Sequence, residues 1–416
     1  MVKINVSVAS LASIMSGGKD DSEAVARDIF KSIDDIAHAH TPYGNIIDTL
    51  MLPLWTGDEY ELWYVNPCAF IYMLCQESSG MATMFKQHIH GTAKLCVYTD
   101  ECVPGNVLRP DKGRKVLNVY FTFEDLPGWF RAREYGWFLL CSCPASVLDD
   151  VEAGVSQLMR HLLKVFVCQT PGLCTTGMRV PLGDGSHFFM KCTLNSVCQD
   201  FLAFEHMFNL KGGSSKKPCF LCKNVMGRAD VPEDHNYLIC RDCTDIARFD
   251  EYDTQTFYDM CDLLEHGYNT LNQESYDKLG RACGLSYEPQ GILWDRELRW
   301  LFDPINSCVL DWCHCICSSG GIAQYEVNAL IRHMQDTKNI NLEVLDEIAM
   351  NRHVPKRMRR CKADFFQTRV VNKPGSHLKC FANETVWAVK VCTFFAEMKG
   401  LSDDMPDHVR LSTWNT

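Results

Sequence analysis

Apolar and polar side chains alternate through the middle of the chain, and this pattern predicts β-strands. In residues 116–123 every second side chain, from Leu117 to Phe123, is apolar. Short apolar runs at residues 94–100 and 136–143 are bounded by turn residues, which is typical of buried strands. Three strands are therefore predicted in succession.

A helix and a fourth strand are predicted after these three. Residues 151–166 carry apolar side chains at helical spacing, and Asp149 before them is a suitable helix cap. The mixed apolar segment at residues 187–200 predicts the next strand, so that the first and fourth strands end in Asp100 and Asp200. In a ribonuclease-H-like sheet these two strands are neighbours, which predicts that the two carboxylates lie side by side. The alternative for each is a solvated loop carboxylate.

The flanking regions are interpreted as mainly helical. Residues 1–92 are expected to be helical around a turn-rich middle, with a buried helix at residues 67–85. Beyond residue 250, apolar periodicity predicts helices at 257–266, 309–331, 341–350 and 385–398. The chain is therefore divided into an N-terminal helical region (1–92), a segment with the predicted strands (93–205), a cysteine-containing segment (206–250), a helical part (251–378) and a C-terminal helix (379–416).

Composition and charge narrow the class of protein. Hydrophobic residues make up 46% and charged residues 22% of the 416 residues, which is typical of a folded globular chain and excludes disordered, collagen-like and coiled-coil sequences. No apolar run approaches the roughly 18 residues that a membrane span needs. The net charge of −11 argues against an extended DNA-coating surface but leaves room for a local basic patch. The first 15 residues are interrupted by polar side chains, so we expect an intracellular protein without membrane association.

Cysteine is unusually frequent, and two CxxC pairs predict a zinc site. The chain has 23 cysteines, an odd number, which favours reduced thiols over a disulfide scaffold. Cys219 and Cys222 are followed after 17 residues by Cys240 and Cys243, a spacing that suits four tetrahedral ligands of a structural Zn²⁺. His235 could replace one ligand, and four buried thiols without metal are the alternative. A second group, Cys313, Cys315 and Cys317, is expected to be buried core.

Basic side chains cluster near the predicted acids and in one later segment. Residues 352–362 hold six Lys or Arg in eleven positions, which is typical of a phosphate contact or a nuclear import signal; a solvated helix face is the alternative. The candidate nucleic-acid-binding residues are Arg109, Lys112, Arg114, Lys115, Lys216, Lys217, Arg357, Arg359 and Arg360.

An ordered set of motifs resembles a family of mobile-element proteins. The set comprises Tyr98-Thr-Asp-Glu101, Asp200 followed by a Lys-Gly-Gly and Pro218-Cys-Phe-Leu-Cys222, and Leu310-Asp-Trp-Cys-His314. In this order the chain resembles eukaryotic cut-and-paste DNA transposases of the CACTA-like and Plavaka-like group, over roughly residues 94–385.

The resemblance implies an α/β fold with catalytic carboxylates. The expected fold is an RNase H-like mixed sheet flanked by helices, with an inserted zinc-binding segment and a helical insertion. Asp100, Asp200 and Glu384 would be the catalytic acids holding Mg²⁺ or Mn²⁺, with Glu326 as the alternative to Glu384. Asp311 and His314, one helical turn apart, would support the site.

The function implied is DNA strand cleavage and transfer at transposon ends in the nucleus. The enzyme, if active, would be a metal-dependent nuclease and strand transferase; whether it forms a homo-oligomer stays open. The alternative is a catalytically inactive, zinc-containing interaction module for nucleic acid or protein. The chain could equally be a fragment or a host-adopted copy, since no DNA-binding module is recognised before residue 94.

Overall fold

The computed structural model describes most of the chain as a mixed α/β protein. The described residues are 39–103, 112–168, 172–212, 215–226, 238–239, 245–318, 320–350, 364–373 and 375–399. They divide into two compact units, the first ending at Val309 and the second beginning at Leu310. Within the described ranges, every helix is too short or too polar to cross a membrane.

Strands are numbered in chain order. They are β1 (His40–Thr41), β2 (Gly44–Asn45), β3 (Ile47–Pro53), β4 (Glu59–Val65), β5 (Thr92–Cys102), β6 (Val116–Phe123), β7 (Phe138–Pro144), β8 (Met178–Pro181), β9 (His187–Gln199), β10 (Val225–Met226), β11 (Leu238–Ile239) and β12 (Cys308–Leu310).

Helices are numbered in the same way. They are α1 (Pro67–Glu77), α2 (Ser79–His88), α3 (Gly128–Arg131), α4 (Ala145–Leu148), α5 (Gly154–Cys168), α6 (Phe201–Phe208), α7 (Thr254–Thr270), α8 (Gln273–Cys283), α9 (Trp312–Ile316), α10 (Ile322–Lys338), α11 (Leu342–Met350), α12 (Phe365–Arg369) and α13 (Ala382–Met398).

The main sheet is mixed, with helices on its flanks. Its strand order is β12-β9-β5-β6-β7-β4-β3, and β8 pairs with β9 outside this path. β6 is antiparallel to both β5 and β7, whereas β9 runs parallel to β5. The predicted order of three strands, a helix and a strand is confirmed, and the first and fourth of these strands are neighbours as predicted.

One face of this sheet forms the core of the first unit. The alternation predicted for β6 is confirmed from Leu117 to Phe121, because Leu117, Val119 and Phe121 are buried while Asn118 and Tyr120 are half-buried. Thr122, on the same face as Asn118 and Tyr120, is also buried. The Phe121 ring lies 5.7 Å from the ring of Phe166 on α5. Because an apolar face gains free energy only when it is covered, the helical crossover between β7 and β9 packs on this side.

The turn-rich middle predicted for the N-terminal region contains strands at residues 40–65, which the prediction missed. They form β1 to β4, and β3 and β4 pair as an antiparallel hairpin at the edge of the main sheet. On β4, Leu62 and Tyr64 are 2% and 5% exposed and alternate with exposed side chains. Gly57, with φ of +85°, occupies the turn, and Pro53 ends the edge strand where it needs no N–H. The turn residues that suggested a loop therefore mark the limits of a hairpin.

Two predicted helices are divided into shorter elements. Residues 67–85 are split at Ser78, whose extended backbone ends α1 and whose hydroxyl accepts the N–H of Met81 to begin α2. Residues 309–331 include the end of β12, then α9 and α10, with Gly320 at φ of +83° between the two helices. Polar caps and left-handed glycine conformations interrupt an apolar pattern that otherwise continues through both segments.

The second unit has a helical core of its own. Its buried side chains come from α10, α11, α12 and α13, and the Phe366 and Trp387 rings stack at 6.0 Å. The helices predicted at 341–350 and 385–398 are confirmed as α11 and α13.

Candidate functional site

Asp100 on β5 and Asp200 directly after β9 stand at equivalent positions in the register of these two parallel strands. β5 and β9 pair in register up to Tyr98 opposite Cys198, with one irregularity after Leu95. Asp100 lies two residues beyond Tyr98, and Asp200 lies two residues beyond Cys198. Since paired strands are about 4.8 Å apart, this register brings the two backbone positions close together.

A buried hydrogen bond joins the residues that precede the two acids. The hydroxyl of Thr99 donates to the amide oxygen of Gln199 at 2.7 Å, and the two residues are 4% and 0% exposed. The amide nitrogen of Gln199 donates in turn to the sulfur of Met207 on α6, at 3.2 Å. This bond fixes the register of the two strands at their ends. Successive side chains of a strand face opposite ways, so Asp100 lies on the other face from Thr99.

Asp100 lies within β5 and not at its end. The ladder continues for two residues beyond it, with Asp100 opposite Asn118 and Cys102 opposite Val116, so the predicted strand end at Asp100 is two residues too early. Asp100 is exposed. Burial raises the pKa of the neighbouring Tyr120, and the Cys102 thiol and the Asp100 carboxylate add to this rise.

Asp200 follows β9 directly and begins the next helix. Its Oδ1 accepts the backbone N–H of Ala203 at 2.6 Å, which makes Asp200 the N-cap of α6. This cap stabilises the orientation of the carboxylate at the strand end. The helix ends at Asn209 in the left-handed conformation, with φ of 54°.

The cations predicted beside Asp100 are only partly described. Lys115 forms an ion pair with Glu101, so its charge is already matched at this edge. Arg114 is exposed, and Lys112 opens the short 3₁₀ turn that precedes β6. Arg109 lies outside the described residues, as do Arg357, Arg359 and Arg360 of the later basic segment.

Lys216 and Lys217 differ in exposure. Lys216 is exposed, whereas Lys217 is 6% exposed and its ammonium donates to the hydroxyl of Tyr252. The Lys217 nitrogen also lies 4.4 Å from the centre of the Tyr252 ring. Burial lowers the pKa of Lys217. The ammonium thus faces the protein interior, contrary to the phosphate contact predicted for it.

One half of the predicted cysteine site is described. A hydrogen bond from the Cys222 thiol, together with the backbone N–H groups of Leu221 and Cys222, lowers the pKa of Cys219. The same hydrogen bond raises the pKa of Cys222. The two thiols therefore lie close together on one turn, which is the arrangement that a CxxC pair of zinc ligands needs. Cys240 and Cys243 lie outside the described residues. In the part of the chain that the structure describes, no three His, Cys, Asp or Glu side chains are grouped to hold a metal by themselves.

Asp311 and His314 of the second unit interact with each other. The Nδ1 atom of His314 lies 2.7 Å from Oδ2 of Asp311, whose Oδ1 accepts the backbone N–H of Cys313 at 2.8 Å. Their predicted proximity on one helical turn is confirmed, and Asp311 is the N-cap of α9. Of the three cysteines predicted to be core here, Cys317 is buried, while Cys313 and Cys315 are half-buried.

Glu384 lies in the first turn of α13. Its Oε2 accepts the backbone N–H of Phe381 at 2.8 Å, and its Oε1 lies 3.9 Å from the guanidinium of Arg369. The side chain of Glu384 is 14% exposed, whereas Glu326 on α10 is exposed. Glu384 therefore has a structural role in its own unit, whatever else it does.

Sequence reasoning missed Thr99 and Gln199. Each is a polar residue at an inward position of an otherwise apolar strand, immediately before a predicted catalytic acid. Buried polar side chains need hydrogen-bond partners, so this coincidence was the signal that could have found them.

Comparisons with known proteins do not assign the chain to a family. Neither the models of known protein families nor the curated proteins gave a match. The function therefore has to follow from the geometry of the acid pair, Asp100 and Asp200, and from the motifs of the sequence.

Proposed function

We propose that the first unit has an RNase H-like fold and that the protein is a transposase-derived enzyme that cuts and joins DNA strands. The observation that carries the proposal is the parallel pairing of β5 with β9, which gives Asp100 and Asp200 equivalent positions. The order of the sheet adds support, since the first and fourth strands are neighbours and the second is antiparallel to the first.

The chemistry follows from the charges of the acid pair. Two carboxylates on adjacent strands repel each other, and a divalent cation between them relieves this repulsion. Mg²⁺ or Mn²⁺ would supply activation of a water molecule or 3′-OH and stabilisation of the leaving oxygen. Asp100 and Asp200 would hold the cations, and the Thr99–Gln199 hydrogen bond would keep the strands that carry them in register.

Glu384 is our proposed third acid, with Glu326 as the alternative. A third carboxylate would complete the coordination of two cations. Glu384 uses Oε2 for the backbone of Phe381 and directs Oε1 toward Arg369, so it would have to coordinate metal while keeping its role at the helix start. Asp311 and His314 would orient a ligand, since each holds the other in place.

The activity is tested by nicking of supercoiled plasmid DNA with the full chain. Wild type should nick the plasmid in Mg²⁺ or Mn²⁺ but not in Ca²⁺, because Ca²⁺ prefers looser and higher coordination. Asp100→Asn and Asp200→Asn should abolish nicking, whereas Asp277→Asn, which changes a carboxylate on the exposed side of α8, should not. Identical nicking by wild type and both acid-pair variants would refute the catalytic proposal.

A structural zinc ion at Cys219, Cys222, Cys240 and Cys243 is the second part of the proposal. The contact between the Cys219 and Cys222 thiols on one turn supports it. A structural site contributes folding free energy, so chelation should increase hydrogen exchange in residues 211–250. Protein purified without chelator should contain about one equivalent of zinc. A zinc-free protein with unchanged exchange would contradict this part.

A non-catalytic interaction module is the alternative function. The pairing of Glu384 with the start of α13 and of Lys115 with Glu101 favours it, because both charges have structural partners. On this alternative, the protein would bind DNA with the same affinity with and without Mg²⁺. Wild type and every acid-pair variant would leave the supercoiled plasmid intact. The basic segment at residues 352–362 and nuclear localisation stay predictions under both functions.

A further inference from the structure

The sheet face that carries Asp100 also carries a group of aromatic rings. Tyr98 pairs with Tyr120 across β5 and β6, next to the pairing of Asp100 with Asn118. The two tyrosine rings stack at 6.3 Å with 25° between their planes, and the Trp137 ring lies 5.5 Å from Tyr98. All three rings are half-buried. An apolar strip therefore begins beside the exposed carboxylate.

The connection between β6 and β7, residues 124–137, extends this strip to exposed rings. Trp129 and Tyr135 are 64% and 52% exposed. Phe130 lies between them and is 4% exposed, with its ring 5.9 Å from that of Trp129 and 5.3 Å from that of Tyr135. Arg133 is exposed and, among the described residues, forms no ion pair. Exposed aromatic rings and a cation thus share one short segment.

Hydrogen bonds and close packing hold this connection against the sheet. The indole nitrogen of Trp137 donates to the backbone oxygen of Arg131 at 2.9 Å, and the buried hydroxyl of Thr122 donates to that of Gly136 at 2.7 Å. A Cβ atom at Gly136 would lie 2.3 Å from the backbone oxygen of Phe130, so only glycine fits there. The rings are pre-organised, which lowers the entropy lost when a ligand binds.

The strip runs along the strands toward the acid pair. Phe123, where the connection leaves β6, pairs with Leu95, five residues before Asp100 on β5. At about 3.4 Å per strand residue this is roughly 17 Å, a length that a few nucleotides of a single strand can span. The half-buried rings of Tyr98 and Trp137 lie between these two ends.

We propose that Tyr98, Tyr120, Trp129, Tyr135 and Trp137 form an aromatic track that binds single-stranded DNA and leads it to Asp100 and Asp200. Aromatic rings stack on the faces of unpaired bases, which are covered in a duplex, and Arg133 supplies a phosphate contact. In residues 129–137 the rings are interleaved with Arg131 and Arg133 against the one acid Glu134, a positive balance that favours nucleic acid over an apolar protein partner. Delivery of the strand to Asp100 and Asp200 rests on the proposed function. Binding of the strand to the rings does not.

Binding is tested by fluorescence anisotropy with a labelled oligo-dT strand of about 15 nucleotides, without Mg²⁺ or Mn²⁺. The double variant Trp129→Ala/Tyr135→Ala should bind at least about tenfold more weakly than wild type, since two stacking surfaces are lost. The double variant Trp129→Phe/Tyr135→Phe should keep affinity within about threefold. Trp300→Ala is the matched control, because Trp300 is 60% exposed elsewhere in the same unit.

Three outcomes would overturn the track. They are unchanged binding by the alanine double variant, an equal loss in Trp300→Ala, and equal affinity for a blunt duplex of the same length. Circular dichroism of each variant separates weak binding from misfolding. Asp100→Asn should bind the strand as well as wild type or more tightly, because one negative charge is removed. If wild type binds the strand but does not nick DNA, only the proposed function is refuted. If wild type nicks DNA but the alanine double variant binds the strand as well as wild type, only this inference is refuted.

Discussion

Asp200 and Glu384 have the same local role in the two units but different electrostatic surroundings. Each carboxylate accepts a backbone N–H at the start of a helix, at 2.6 Å for Asp200 and 2.8 Å for Glu384. Asp200 has Asp100 on the neighbouring strand, whereas Glu384 has the Arg369 guanidinium at 3.9 Å. Helix capping therefore does not by itself distinguish the two carboxylates. Their neighbouring charges do, because a divalent cation would relieve repulsion between Asp100 and Asp200, whereas at Glu384 it would also lie near the Arg369 guanidinium.

The largest expected effect is on DNA cleavage. Asp200→Asn and Glu384→Gln should each reduce the nicking rate about a thousandfold or more, since a lost metal ligand removes several kcal/mol of transition-state stabilisation. Glu326→Gln should nick at the wild-type rate. Rates from single-turnover assays in Mg²⁺ decide between the acids. If Glu384→Gln nicks normally while Asp200→Asn does not, Glu384 is only a helix cap. If, in addition, Glu326→Gln is inactive, Glu326 is the third acid.

The buried bond behind the acid pair should be the next most sensitive feature. Thr99→Val removes the donor to Gln199 and leaves a buried amide oxygen without its partner. The free energy of unfolding should fall by about 1–3 kcal/mol. Thr99→Ser keeps the hydroxyl and should lose less. Urea titration followed by circular dichroism measures both, and equal stability of Thr99→Val and wild type would show that the bond does not hold the strands together.

Divalent cations should stabilise the first unit through the acid pair. At about ten times its dissociation constant, Mg²⁺ should raise the free energy of unfolding by about 1.4 kcal/mol, because it binds the folded state. Asp100→Asn should remove this gain, and Asp277→Asn should preserve it. Thermal unfolding with and without Mg²⁺ is the measurement. An equal gain in Asp100→Asn would place the cation elsewhere.

The smallest effects should separate the two caps. Glu384→Ala removes a backbone hydrogen-bond acceptor and should lower the free energy of unfolding by about 1 kcal/mol. Asp200→Asn keeps a capping side chain while relieving repulsion from Asp100, so without metal its stability should equal or exceed that of wild type. Chemical denaturation in EDTA-free, Mg²⁺-free buffer measures the stability of these two variants. A clear destabilisation by Asp200→Asn would mean that the two acids do not repel each other.

Local patterns in the sequence predicted much of the sheet. The alternation from Leu117 to Phe123 predicted β6, because one face of that strand is fully buried while Asn118 and Tyr120 on the other are half-buried. The adjacency of β5 and β9 came from the expected order of an RNase H-like sheet, and no local pattern could supply it. The hairpin of β3 and β4 was missed because Pro53 and Gly57, which limit its strands, are equally typical of a loop.

The candidate site was less predictable than the fold. Asp100 and Asp200 were identified from strand order, but the Thr99–Gln199 bond depends on a contact between residues 100 positions apart. Lys217 illustrates the same limit, since its neighbours in sequence suggested an exposed basic loop while Tyr252 covers its ammonium. Charge and motif spacing are local, whereas burial is decided by distant parts of the chain.

The pairing of β5 with β9 also sets the order in which Asp100 and Asp200 can come together during folding. The hairpins β5–β6 and β6–β7 join neighbouring segments, whereas β9 must return to β5 across the whole helical crossover. Contacts of such long sequence separation form late, because loop closure reduces chain entropy before the contact stabilises the fold. During synthesis, Asp100 would therefore be in place well before Asp200 reaches it. A nascent or truncated chain that lacks β9 would hold one carboxylate without its pair, so on the proposed function it would not cut DNA.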